Sequence, residues 1–230
     1  MEKIQTWLSQ LQWGNLLEPA VLILASLLCI TVHETCHGLA AYALGDPTAK
    51  RAGRLSLNPL RHVDLLGLIM MAIFRFGWAK PVPIDPRYFK KPKRDMALTA
   101  LAGPLSNVLL AWLAVMCYAV AAFFYGRSPS EALSYGCLFF RYMAILSAGL
   151  AVFNLIPIPP LDGSKVLLSL LPGRIYAAVL RHERYGMVVL MVILYLGWLD
   201  KPLDFLRSGL LSGLKAVGLW PYYLLQKIFS

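Results

Sequence analysis

His33, Glu34 and His37 stand together as "HETCH" in a chain stretch that is otherwise apolar, and their spacing suits metal-assisted hydrolysis. Residues four apart share one helix face, so the two imidazoles fall one turn from each other and can hold a single zinc ion. Glu34 can reach a water beside that ion without ligating it, and in this arrangement acts as general base. From Pro19 to Cys36 no other residue is charged. Ionisable groups are costly in such surroundings, and their presence points to function.

A catalytic zinc takes three protein ligands and keeps a fourth position for water. Asp162, after "NLIPIPPL", is the third ligand this reading selects: an isolated carboxylate at the end of an apolar stretch needs compensation, which zinc provides. Gly163 after it allows a sharp turn beside the metal. The other candidates are His62, His182 and Glu183. They sit among basic residues and read as solvated surface groups.

The elements that must position these groups are membrane spans. Of the 230 residues, 58% are hydrophobic and 15% charged, against about 45–50% and 25% in soluble domains. A spanning helix needs about 20 apolar residues. Residues 17–44, 96–125 and 142–163 meet that need, 185–199 is a shorter candidate, and the tail 203–230 reads as interfacial or spanning. No cleavable signal peptide is read near the N-terminus, so the first span is expected to remain. The expectation is one domain over 1–230, an all-α polytopic bundle.

A small membrane-associated β hairpin or sheet is expected between the first and second core helices. "GRLSLNP" alternates polar and apolar residues as a half-buried strand does. In "AKPVPID", Pro81 and Pro83 at spacing two suit an edge strand. The apolar stretch 65–74 is too short to cross and is expected to dip into the membrane.

The net charge of +10 does not indicate nucleic acid, because the basic residues cluster: 11 of the 22 Lys and Arg lie between 50 and 94. Basic loops beside apolar spans mark cytoplasmic faces. That places HETCH at the inner end of the first span and brings Asp162 to the same level on the third. Arg141 is expected at the outer boundary of its helix. The four cysteines form no CxxC pair and read as small buried hydrophobes.

Pro157, Pro159 and Pro160 break the helix ahead of Asp162, because each removes a backbone donor. The freed carbonyls near Pro157, with the Asn154 amide, suit an extended substrate that adds itself as a strand. In "LAGPLSN", Gly103 reads as a close helix contact, and Asn107 as a group that could orient a metal ligand.

"HETCHG", "GPLSN" at 103–107 and "NLIPIPPLDG" at 154–163 resemble, in order, the signature motifs of the site-2 protease family of intramembrane zinc metalloproteases. "GDPTAKRAGRLSLNPLRHVD" and "FGWAKPVPIDPR" are similar to its compact prokaryotic branch, which lacks a PDZ domain. The resemblance covers about residues 20–170. It implies His33, His37 and Asp162 as ligands of one zinc ion, Glu34 as the base, and Asn154 as a contact to the substrate backbone. It implies cleavage of transmembrane helices of other membrane proteins, in the lipid bilayer of a prokaryotic inner membrane, with the site near the cytoplasmic side. The competing readings are a membrane zincin of another family, with Glu183 as ligand, and a non-catalytic scaffold or transporter holding structural zinc. The intact Glu34 speaks against the second, since a ligand-only site has no use for it.

Overall fold

A computed structural model describes residues 14–64, 80–173, 175–176, 179 and 183–229. The elements in chain order are α1 (Gly14–Ala43), the short α2 (Thr48–Arg51), α3 (Pro92–Arg127), α4 (Glu131–Asn154), α5 (Asp162–Ser169), α6 (Glu183–Tyr195), α7 (Asp200–Gly218) and α8 (Trp220–Ile228). Among the described residues three segments are long and apolar enough to cross a membrane: Leu17–Ala43, Pro92–Arg127 and Glu131–Asn154. Tyr185–Tyr195 and Asp200–Ile228 together pass the same test but meet at 88°, so they turn a corner rather than form one straight span.

Local chemistry sets the helix ends. Pro92 opens α3 where a missing donor costs nothing, and the Asp95 carboxylate reaches back to accept the Lys91 N–H at 2.9 Å. Ser130 caps α4 by accepting the Leu133 N–H. That helix begins at Glu131, upstream of the expected 142, so Arg141 lies within it and not at its boundary. It ends at Asn154 and does not run on to 163. Pro157, Pro159 and Pro160 supply no N–H to continue it, and the chain turns back before α5 starts at Asp162. A Cβ on Gly163 would lie 2.2 Å from the Leu155 carbonyl oxygen, so only glycine permits this return.

α1, α3 and α4 pack on one another through small residues. Their shared core is Ala25, Cys29, Ala114, Val115, Met143 and Ala144. The Ser147 hydroxyl donates to Cys29 Sγ at 3.0 Å, a polar bond across α1 and α4. α7 lies along α3 and α4 and α8 along α3, with Leu211 and Leu219 packed against this core. Part of the tail 203–230 is therefore helix docked on the bundle.

The expected β hairpin is absent: the described residues between α1 and α3 contain no strand. Residues 80–85 form no strand: the Lys80 N–H reaches the His62 carbonyl at 2.9 Å, but no later backbone donor continues a ladder. Pro81 and Pro83 have none, the Val82 N–H goes to Glu34 Oε2 at 3.0 Å, and the Asp85 N–H goes to Asp46 Oδ2 at 2.7 Å. Residues 53–59 form no strand either: the Gly53 and Arg54 N–H groups close a turn on the Lys50 and Ala49 carbonyls, and the Asn58 N–H goes to Ser56 Oγ at 3.2 Å. The stretch 65–74, His182 and the Glu183 side chain lie outside what the structure describes.

Candidate metal centre

α1 carries His33 and His37 on one face near its C-terminal end, and α5 presents Asp162 from its first turn. Although 125 residues separate His37 from Asp162 in the sequence, the three side chains meet. Asp162 Oδ2 lies 3.2 Å from His33 Nε2 and 3.0 Å from His37 Nε2. The two Nε2 atoms are 3.0 Å apart. All three residues are buried. Ligands around a tetrahedral zinc with bonds near 2.0–2.1 Å stand about 3.3 Å from one another, close to this triangle.

The protonation pattern also fits a cation. His37 Nδ1 faces the Thr99 carbonyl oxygen at 2.7 Å. A carbonyl only accepts, so Nδ1 carries the proton and Nε2 offers a lone pair to the centre. His33 Nδ1 lies 3.2 Å from the Asn107 amide nitrogen, while Asn107 Oδ1 is buried without a partner. Turning that amide end for end lets Oδ1 accept an Nδ1–H from His33, the tautomer that frees Nε2. Two lone pairs and a carboxylate oxygen then converge with no proton to share, an arrangement that a metal ion relieves. The donor set, two imidazoles and one carboxylate, fits zinc.

Gly103 makes the approach possible. A Cβ there would sit 2.4 Å from His37 Nε2 and 2.7 Å from His33 Cε1, so the rings press directly on the α3 backbone. The helix contact expected of Gly103 is thus a contact with the histidines themselves.

The triangle opens onto a cleft of about 180 Å³. Glu34, Val82, Asn154, Pro160 and Lys165 line it with the three central residues. Glu34 is tied by one oxygen to the Val82 N–H, which leaves its other oxygen for a further partner. Asn154 donates from Nδ2 to the Leu150 carbonyl at 3.0 Å and still faces the cleft. Of the prolines ahead of Asp162, Pro160 lines the cleft and the exposed Pro157 does not. His62 is buried rather than solvated, its ring bonded to the Ser56 carbonyl at 2.8 Å and apart from the triangle. Beyond the cleft, hydrogen bonds from Arg87 hold the Asp85 carboxyl below the usual carboxylate range.

Three participants escape a sequence reading. The Thr99 carbonyl and the Val82 N–H are backbone groups and leave no trace in residue type. Lys165 left one: a cation one helical turn after the key carboxylate.

The description of a family model, Peptidase family M50, matches residues 128–197, a range with Asn154 and Asp162 but without the two histidines. "Putative zinc metalloprotease YwhC" of Bacillus subtilis (strain 168) is 39% identical over 173 residues, covering 75% of this chain and 78% of that protein. "Putative zinc metalloprotease Rip2" of Mycolicibacterium smegmatis is 28% identical over 181 residues, covering 76% of this chain and 66% of that one. "Putative zinc metalloprotease MJ0611" of Methanocaldococcus jannaschii is 29% identical over 135 residues, covering 59% and 62%. No solved structure matches. The chain belongs to Peptidase family M50, the site-2 protease family whose motifs it carries.

Proposed function

We propose that this chain is a zinc-dependent endopeptidase that hydrolyses peptide bonds within or near transmembrane helices of other membrane proteins, as in regulated intramembrane proteolysis. One observation carries the reading: His33, His37 and Asp162 converge near the ends of membrane-length helices, with Glu34 in the same cleft. The names of the relatives support zinc and proteolysis. His33 Nε2, His37 Nε2 and Asp162 Oδ2 would hold one ion per chain. When bound, zinc supplies Lewis acidity that makes a water nucleophilic near neutral pH and polarises a carbonyl.

The chain's own residues do the rest. The Thr99 carbonyl fixes the His37 tautomer that turns Nε2 inward, and the Asn107 amide, with its oxygen turned toward Nδ1, does the same for His33. Glu34, steadied by Val82, takes a proton from the attacking water and returns it to the departing amide nitrogen. A helix hides its peptide bonds, so the substrate must enter unwound. Residues 80–84 and Asn154 on the cleft wall offer it an extended backbone neighbour. The clustered Lys and Arg support a location of this end at the cytoplasmic side of the membrane, which we take to be a prokaryotic inner membrane. The partners are transmembrane proteins and the surrounding bilayer, not nucleic acid.

The test compares the wild type with Glu34→Gln and Asp162→Ala on model transmembrane substrates, with zinc counted in each. Glu34→Gln is expected to keep its zinc and lose about 10²–10⁴-fold in rate, the usual share of a general base. Asp162→Ala is expected to lose zinc and activity together. Undiminished cleavage by Glu34→Gln would remove the base from this reading.

A further inference from the structure

We propose that Lys165 is a further catalytic residue, one that hydrogen-bonds the scissile carbonyl oxygen as it becomes an oxyanion; this rests on the proteolytic reading above. Lys165 sits on α5 one turn after Asp162, with its side chain about a quarter exposed. Its ammonium lies 3.7 Å from Asp162 Oδ1, the carboxylate oxygen that the histidines do not use. That is an ion pair at a distance too long for a hydrogen bond. Among the described residues the ammonium donates no hydrogen bond, although it has three protons to give. It lines the same cleft as Glu34 and is the one cation among the lining residues. A partly buried cation with free donors is poised for an acceptor that arrives with the substrate.

Hydrolysis brings such an acceptor. The water oxygen bonds to the carbonyl carbon and the C=O electron pair moves onto the carbonyl oxygen. Glu34 takes the water's proton on one side of the cleft, and Lys165 donates to the new oxyanion. The carbonyl then re-forms, the C–N bond breaks, and Glu34 passes its proton to the nitrogen. The remaining water proton ends on the new amine, which leaves a carboxylate facing the ammonium. A fixed donor aimed where charge develops is worth most in a site shielded from water.

The test uses the full chain in lipid nanodiscs with its zinc, as wild type, Lys165→Met and Lys165→Arg. Zinc affinity is measured by chelator competition, and kcat and KM on a single-helix substrate. Binding of a phosphinate peptide, a tetrahedral anionic mimic, is compared with that of the matched amide. Lys165→Met is expected to lower kcat about 10²–10³-fold, to weaken the phosphinate by a similar factor, and to leave KM and zinc affinity within about twofold. Lys165→Arg should recover most of both losses, since it keeps the charge and the donors. An unchanged kcat would overturn the proposal, as would phosphinate binding that does not move. A fall in zinc affinity in step with kcat would also overturn it, because Lys165 would then act only through Asp162. If the zinc-loaded wild type itself cleaves nothing, the proteolytic reading fails and takes this proposal with it. Cleavage by the wild type with an indifferent Lys165→Met sinks only the proposal.

Discussion

The two ends of the helix bundle are built from different residues. At one end the buried contacts between α1, α3 and α4 are Ala25, Cys29, Ala114, Val115, Met143 and Ala144, which need close fit and little else. At the other, the same helices bury Thr31, His33, Thr35, His37, Thr99 and Asn107, joined by Asp162 from α5. α1 changes character within two turns, from Cys29 to Thr31, His33 and His37. Small apolar residues are enough to pack membrane helices. Burying polar groups is costly in such a setting, and His33, His37 and Asp162 offset that cost by meeting at one point.

The contrast can be tested from both ends. The largest effect is expected at Gly103, against which both histidine rings lie. Gly103→Ala forces both rings aside and should weaken zinc binding by at least about a hundredfold, read by chelator competition. Asn107→Leu keeps the volume but removes the amide that meets His33 Nδ1, so zinc affinity should fall about 10–100-fold while the helices stay packed. Ala144→Leu at the apolar end should do the reverse. Overpacking there costs about 1–3 kcal/mol, seen as a lower melting temperature, with the zinc stoichiometry unchanged. Zinc loss in Ala144→Leu, or none in Gly103→Ala, would erase the distinction between the ends.

What the sequence made legible follows the same division. His33 and His37 could be read from a spacing of four and a hostile setting, and Asp162 from its isolation after an apolar run. Gly103 and Asn107 were visible as small and polar residues in a span, but not the rings they meet. The alternation in 53–59 and the paired prolines of 80–85 looked like strands. Pairing, however, depends on where each N–H goes, and two of those N–H groups went to Glu34 and Asp46, which lie far off in sequence. α4 differs from the expected 142–163 at both ends. The apolar content of 131–141 continues the helix upstream of Arg141, and the prolines stop it at Asn154.

The most direct measurement is zinc-edge X-ray absorption on the purified wild type and Asp162→Ala, with metal content determined alongside. One ion per chain is expected in the wild type, bound by two imidazole nitrogens and a carboxylate oxygen, with that oxygen and most of the zinc gone from the variant. Zinc held with sulfur ligands, or bound to Asp162→Ala as tightly as to the wild type, would contradict the convergence of α1 and α5 on one metal.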